Sequence, residues 1–560
     1  MFYKKMAEEL IGDFTIFTME DIPDDDIKFR LKLIDPTEKQ YKILLEELKI
    51  ELIKGHGETI YELGTLINDT CYGLSDEELA KSMETIARFA KDINIENRII
   101  NIKTSDNKGR SIVEVLIREI PSESDPIELR ISVVGNVDSG KSTLIGVLNG
   151  GELDNGRGEA RKKCLRFPHE KDSGRTSAVS QKFIGFGNDG IINTKKMTDE
   201  EVHKKSSKII SFVDLCGHER YLKTTVFGLS GSVPDYSVIM IGANMGVQRM
   251  TREHLGLTLA LKIPFFVVIT KIDIAPPNIR KETIGRISGI LKSANVRRMP
   301  YMINNEEEAI SITKTMGKGT NVVPIFQVSN VTGDGLDLLK IFLNLLPSQK
   351  EWRKRRENPF KFFIDGVFQV PGIGIVVSGS MTSGEVILTK GQGPNLLLGP
   401  DSTGAFHRVQ VKGIHTNGIP VIKVKAGQSA SFAIKFLDHK KALKRSQIHK
   451  GMVLVDPSIE PVAVTDFEAD IVILHHPTTI KENYEPIIHI RTIKQAARIK
   501  KITATDGSNL LRTGSRGVIH FSFQHNPVYL IEGVPFVFRE GRTKGMGRVK
   551  RIIYPDGGKK

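Results

Sequence analysis

Two helical stripes dominate the early part of the chain. In DPTEKQYKILLEELKIELIKGHG, Tyr41, Leu44, Leu45, Leu48 and Leu52 fall on one face of a 3.6-residue period. Thr37 and Gln40 have capping-box spacing and Gly55 supplies a stop. SDEELAKSMETIARFAKDI repeats the pattern, with Ser75 and Glu78 at capping spacing and Leu79, Met83, Ile86 and Ala90 as its buried stripe. ETIYELGTLI and SIVEVLIREI read as strands, and SDNKGR suits the turn before the second. Residues 1–126 are therefore expected to form an N-terminal α/β extension that ends at PSESDP.

From Ile127 the pattern changes to apolar strands, each followed by a helical stretch: IELRISVVG, KIISFVDL, YSVIMIGA, PFFVVITKI and VVPIFQVS. Such alternation predicts an α/β domain with a parallel sheet over 127–350. PSQKEWRKRRENP breaks it, and short strands punctuated by Gly, Pro, Asn and Asp follow. They predict two antiparallel β-barrel domains, 351–456 and 457–560, the second with a basic C-terminal tail.

Composition adds constraints rather than chemistry. The 560 residues are 39% hydrophobic and 26% charged, ordinary for a soluble globular protein. A net charge of +14 gives a polyanion such as RNA a modest electrostatic advantage, although a Lys-rich surface accounts for it equally. Cys71, Cys164 and Cys216 are too few and too scattered for a disulfide framework or a metal cluster, which fits a reducing compartment. No apolar run approaches the roughly 20 residues that span a bilayer, so a cytoplasmic protein with no membrane contact is expected.

The chemistry begins at VVGNVDSGKST, residues 133–143. Gly135 and Gly140 allow the backbone to turn its N–H groups inward, and the loop feeds a helix N-terminus near Lys141. In such a loop Lys141 reaches the β and γ phosphates and Ser142 holds Mg²⁺. At the end of the next apolar strand, VDLCGH places Asp214 for the Mg²⁺ shell and the Gly217 N–H for the γ-phosphate. ITKID ends another strand; Asp273 can accept both N1–H and the exocyclic amine of guanine, donors that adenine does not pair, while Lys271 packs its stem against the base. VSNVTG ends the last strand and brings Ser329 and the Asn330 backbone toward the guanine carbonyl. Each tetrapeptide alone is weak; in this order, each at a strand's carboxyl end, they are coherent.

GNVDSGKST with DLCGHERY resembles the translational GTPases, most closely the elongation factor Tu and 1A group. VPGIGIVVSGSMTSGEV is similar to the signature hairpin of that group's second domain and REGRTKGMGRV to the closing strand of its third. HEKDSGRTS, FQVSNVTGDGLDLL and the N-terminal GETIYELG with GLSDEEL resemble the GTP-binding protein 1 and 2 branch. The implied fold is a P-loop GTPase domain followed by two antiparallel β-barrels. The implied activity is hydrolysis of GTP to GDP and phosphate with Mg²⁺.

The resemblance also assigns roles. Thr176 becomes the switch residue that binds Mg²⁺ and the γ-phosphate, so the implied metal set is Ser142, Thr176 and Asp214. His218 becomes the residue that positions the attacking water, with Lys141 and Thr176 completing the catalytic set. Gly135, Asn136, Val137, Asp138, Ser139, Gly140, Lys141, Ser142 and Thr143 would line the phosphates. Asp214, Leu215, Cys216, Gly217 and His218 would face the γ-phosphate, and Thr270, Lys271, Asp273, Ser329 and Asn330 the base. Val137 and Asp138 match the positions that bound the catalytic histidine.

Three positions depart from the family pattern. Arg175 stands where a hydrophobic gate is usual, either as a cis arginine toward the phosphates or as an RNA contact. Thr270 replaces the usual Asn, and Cys216 stands where Pro or Ala is commoner. GNDGIINTKKMTDEEVHKKSSK reads as a polar insertion between strands. Basic clusters RKRR (353–356), KKALKR (440–445), RTIKQAARIKK (491–501) and RTKGMGRVKR (542–551) suit an RNA backbone. The implied partners are the ribosome and aminoacyl-tRNA or another RNA, with the protein a monomer. One alternative is a regulatory GTPase that recruits RNA-decay or quality-control proteins through residues 1–126. Another, the GTPase subunit of a sulfate-activating enzyme, fits the basic barrels and the N-terminal block poorly.

Overall fold

A computed structural model describes residues 33–554, apart from 65, 68–69, 72, 105–108, 121–125, 166, 174–175, 188–189, 194–196, 295, 317–320, 349–351, 439, 441 and 542. The chain separates into two compact units, Met1–Ile120 and Pro121–Lys560.

In the first unit, α1 (Glu38–Lys54) and α2 (Asp76–Ile93) both begin with complete capping boxes, Thr37 with Gln40 and Ser75 with Glu78. Each box satisfies two backbone donors that a helix start would leave open. Tyr41, Leu44, Leu48 and Leu52 are buried on α1 as the stripe predicts. On α2 the buried line is displaced: Ile86 and Phe89 are fully covered, while Leu79, Met83 and Ala90 are half-buried at its margin. The Phe89 ring, 5.1 Å from that of Tyr41, draws the face around, and the Thr85 hydroxyl donates to the Leu33 carbonyl. The helices cover an antiparallel sheet of β1 (Glu58–Leu63), β2 (Ile95–Thr104) and β3 (Ser111–Glu119) in the order β1-β3-β2. Strand β2 was not expected, because IENRIINIKT has no clean alternation; pairing with β3 along its length supplies what its pattern lacks.

The second unit opens with an eight-stranded sheet. Its strands are β4 (Ile127–Gly135), β5 (Ser180–Gly187), β6 (Gly190–Ile191), β7 (Lys208–Asp214), β8 (Tyr236–Gly242), β9 (Phe265–Thr270), β10 (Met299–Met302) and β11 (Val322–Gln327). Their order is β10-β11-β9-β8-β4-β7-β5-β6. Strands β7, β8 and β9 are buried at every residue, as continuous apolar runs are when helices cover both faces. The sheet is mixed rather than wholly parallel: six strands run parallel, but β5 pairs antiparallel with β7 and turns back into β6. The segment read as a polar insertion supplies β6 and then a helix, Asp199–Lys205, capped by Thr198 and Glu201 and anchored by buried Val202 and His203. The helices that matter for the site are α3 (Lys141–Gly150), α4 (Leu222–Gly231) and α5 (Arg249–Ala260).

Two barrels follow. The first contains β12 (Lys361–Val370), β13 (Gly374–Ser383), β14 (Asn395–Gly399), β15 (His407–Thr416), β16 (Ser429–Phe436) and β17 (Val453–Val455). They run β14-β17-β12-β13-β16-β15, and pairing of β14 with β15 closes the ring. The second closes in the order β18-β21-β20-β19-β22-β23. Its strands are β18 (Asp466–His475), β19 (Ile487–Ile490), β20 (Ile493–Ala504), β21 (Arg516–Phe523), β22 (Pro535–Glu540) and β23 (Thr543–Ile553). Closure leaves neither barrel an open hydrogen-bonding edge. Both barrels are tied to the sheet domain. Arg130 of β4, fully buried, donates to Ser380 Oγ (3.0 Å) and to the carbonyls of Gly427 (2.6 Å) and Ser232. Ser230 Oγ of α4 donates to the Arg491 carbonyl at 2.9 Å, and Glu253 of α5 pairs with Lys544 and Arg539.

Candidate nucleotide site

The loop after β4 is shaped by two residues with positive φ, Asp138 (60°) and Gly140 (81°), the second immediately before α3. A left-handed backbone at the helix start suits glycine. Two bonds fix the loop from outside and a third braces it from within. His254 Nδ1 accepts from the Gly135 N–H at 3.1 Å, Thr270 Oγ1 donates to the Ser139 carbonyl at 2.9 Å, and Ser139 Oγ donates to the Asn136 carbonyl at 2.8 Å.

Inside the loop Lys141 is buried and donates from Nζ to the Asn136 carbonyl (2.7 Å) and the Gly135 carbonyl (3.2 Å). Burial pulls its pKa down, opposed by the negative charge of Asp214. Ser142 Oγ donates to Asp214 Oδ2 at 2.5 Å and lies 3.0 Å from Thr176 Oγ1, which reaches the same carboxylate oxygen at 3.3 Å. Residues far apart in sequence thus converge on one point. Burial pushes the Asp214 carboxyl pKa up against Lys141 and Ser142, and its Oδ1 is buried with no hydrogen-bond partner among the described residues.

Gly217 must be glycine for space. A Cβ there would lie 2.5 Å from Lys141 Nζ and 2.7 Å from the Asn136 carbonyl carbon. Leu215 and Cys216 are fully buried beneath it, and the Cys216 thiol is pushed up to about 12 by burial. A buried thiol of this kind packs as a small apolar group. His218 is exposed; its Nδ1 accepts from the Arg220 N–H at 3.1 Å and its ring lies edge-on to Tyr221. Val137, Asp138, Gly140, Thr143, Thr176 and His218 border the same pocket as Lys141 and Ser142. Arg175 lies outside the described residues.

At the other end, Thr270 closes β9 fully buried, Lys271 follows with φ 61°, and Asp273 is exposed. The Thr270 hydroxyl ties β9 to the phosphate loop. Ser329, fully buried, accepts from the N–H groups of Val331 (3.1 Å) and Thr332 (3.0 Å), which shapes the turn after β11. The Asn330 carbonyl accepts from the Asp154 N–H at 2.8 Å, and its buried Oδ1 has no partner among the described residues.

Sequence reading missed His254, Asp154 and Arg161. His254 lies within an ordinary helical pattern, where a histidine is usually core; its tie to Gly135 depends on how α5 lies against β4. Burial lowers its pKa to about 3, so it is neutral with Nδ1 as the acceptor. The basic clusters are also partly spoken for. Arg491 is half-buried with its guanidinium 4.7 Å from the Phe363 ring centroid, and Lys500 and Arg551 pair with Asp466 (2.8 Å) and Glu468 (3.0 Å).

Comparison with known proteins decides the family. The elongation factor Tu GTP binding domain family matches residues 128–348, and the elongation factor Tu C-terminal domain family matches residues 460–553. GTP-binding protein 1 of Xenopus laevis is 44% identical over 536 residues, covering 95% of this chain and 79% of that protein. The chain belongs to the GTP-binding protein 1 and 2 family of translational GTPases. Human GTP-binding protein 2 is 39% identical over 537 residues, covering 94% of this chain and 87% of its own. Elongation factor 1-alpha of Archaeoglobus fulgidus is a more distant relative, 26% identical over 470 residues (75% and 97% of the two chains). Among solved structures, elongation factor SelB of Methanococcus maripaludis with the GTP analogue GPPNHP superposes with TM-score 0.54 at 20% identity, covering 77% of this chain and 81% of that one; it shares the fold. Members of this GTPase family bind GTP and GDP and hydrolyse GTP. No helix among the described residues is long and apolar enough to cross a membrane.

Proposed function

We propose that this family member hydrolyses GTP at the pocket between the 135–143 loop and the 214–218 loop, and acts on aminoacyl-tRNA or another RNA at the ribosome in the cytoplasm. The observation that carries the reading is the meeting of Ser142, Thr176 and Asp214 beside Lys141. Two hydroxyls, one carboxylate and an unpartnered buried carboxylate oxygen fit Mg²⁺, which prefers few protein ligands and keeps water and phosphate oxygens for the rest. Among the described residues no cluster of three or more His, Cys, Asp or Glu suits a metal, so a metal demanding several such side chains is a poorer match. When bound, Mg²⁺ would neutralise charge on the β and γ phosphate oxygens.

The chain's own groups do the rest. Lys141 leaves its loop carbonyls for phosphate, the Gly217 N–H donates to the γ-phosphate, and His218, free to turn from its exposed position, orients the attacking water. Asp273 pairs with the two guanine donors, Lys271 covers the base, and Ser329 and Asn330 meet its carbonyl. Loss of the γ-phosphate releases Thr176 and with it the switch segment. The reading divides the chain into the extension (1–126), the GTPase domain (127–350) and the two barrels (351–456 and 457–560). Support for an RNA cargo comes from the net charge of +14; a cavity of about 750 Å³ between the sheet domain and the first barrel is bordered by Lys182, Arg445 and Lys450 and also by Asp199 and Asp365.

The test is GTP turnover with and without ribosomes, repeated with His218→Ala. Ribosome stimulation that the variant loses supports the translational role; unstimulated turnover removes it while leaving the GTPase. A second reading, a GTPase switch that recruits RNA-decay or quality-control proteins, draws on the separate core of residues 33–120. GTP-dependent, aminoacyl-specific tRNA binding would favour delivery; its absence favours the recruiter.

A further inference from the structure

We propose that Arg161 is a phosphate-binding residue of this pocket, a second cation beside Lys141 supplied by the loop that follows α3. The inference rests on the reading of the pocket as a nucleotide site. Arg161 borders it together with Val137, Lys141, Ser142, Thr176 and His218.

The loop is built to hold that side chain. Gly151, left-handed at φ 67°, ends α3, and the chain then winds around the buried carboxylate of Asp154. Asp154 accepts from the N–H groups of Gly156 (3.0 Å), Gly158 (3.0 Å) and Ala160 (2.9 Å). A Cβ on Gly146 would fall 2.1 Å from the Ala160 carbonyl, so the loop lies directly on α3. The Arg161 guanidinium lies on Gly158, where a Cβ would come 2.6 Å from Nε and 2.8 Å from Cζ.

The three consecutive basic residues have different fates. Lys162 pairs with Glu159 at 2.7 Å and Lys163 with Glu152 at 3.7 Å, whereas among the described residues no carboxylate pairs with Arg161. A half-buried guanidinium turned to a phosphate pocket without an acid partner is matched to phosphate oxygens, which its planar fork can meet in pairs. A triphosphate carries more charge than Lys141 and one divalent ion neutralise. The same loop is tied to the base end through the Asp154–Asn330 bond, so ordering by phosphate and by guanine act on one segment.

The test measures dissociation constants of fluorescent GTP, GDP and GMP for the wild-type chain, Arg161→Ala, Arg161→Gln, Arg161→Lys and Lys141→Ala, with the nucleotide-free melting temperature of each. Loss of a charge-assisted bond predicts that Arg161→Ala weakens GTP by about tenfold or more. Arg161→Gln, which retains a planar group over Gly158, should weaken it comparably, Arg161→Lys less, and GMP should suffer least. Arg161→Gln binding GTP within twofold of wild type while Lys141→Ala loses it would overturn the proposal. So would a lowered nucleotide-free melting temperature with unchanged affinities, the mark of a purely structural arginine. Lys141→Ala binding as well as wild type would instead sink the nucleotide-site reading on which the proposal stands.

Discussion

The two ends of the pocket are built on opposite plans. At the end proposed for phosphate, the reactive groups are buried and already bonded to one another: Lys141 to two loop carbonyls, and Ser142 and Thr176 to Asp214. At the end proposed for guanine, the discriminating carboxylate of Asp273 is exposed, and the buried residue beside it, Thr270, bonds to the phosphate loop instead. The contrast follows from the chemistry. Phosphate is recognised by charge, which gains strength from a dry, preorganised site. A base edge is read by one bidentate acceptor in a rigid backbone, and an aspartate on a short loop between β9 and the next helix suffices. Thr270 joins the two, its hydroxyl donating from the end of β9 to the Ser139 carbonyl of the loop.

Substitutions can separate the ends. Lys141→Ala should have the largest effect, weakening GTP by at least about a hundredfold, since it removes several charge-assisted bonds in a buried setting; equilibrium titration reads this directly. Asp273→Asn comes next: guanine loses its acceptor pair, so GTP binding should fall by about a hundredfold while xanthosine triphosphate, whose edge complements an amide, gains. Thr270→Val should cost about 1–3 kcal/mol of folding stability, because the buried Ser139 carbonyl loses its donor; denaturant unfolding measures it. Its effect on GTP should be smaller than that of Asp273→Asn, which places Thr270 in the scaffold rather than on the base.

A separate effect concerns pH. Burial lowers His254 from 6.5 to about 3 and His489 from 6.5 to about 4. A histidine with a depressed folded pKa binds its proton in the unfolded chain first, so its contribution is complete above pH 6.5 and declines as pH falls toward the folded value. The melting temperature should therefore drop between about pH 6.5 and 4, and His254→Gln should flatten that drop.

Much of this was legible in the sequence because it is local. The phosphate loop, the capping boxes of α1 and α2 and the continuous apolar strands each carry their signal within a dozen residues. What was not legible depends on distant partners. Strand β2 is defined by β3, and the antiparallel edge by the pairing of β5 with β7 and of β6, within the polar insertion, with β5. The core face of α2 is set by Phe89 meeting Tyr41, and His254 matters only because α5 packs against β4. Arg161 sat in a basic run that gave no sign which of its three cations would turn inward. Thr270 is legible in the sequence only as a replacement for Asn; the tie of its hydroxyl to the Ser139 carbonyl depends on how β9 lies against the phosphate loop.

The most direct test of the account is nucleotide choice in the presence of Mg²⁺. Affinities for GTP, ATP and xanthosine triphosphate should be measured on the wild-type chain and on Asp273→Asn. The wild type should bind GTP and discriminate strongly against ATP, and the variant should exchange GTP for xanthosine triphosphate. Equal binding of GTP and ATP by the wild type, or an Asp273→Asn chain that still prefers GTP, would contradict it.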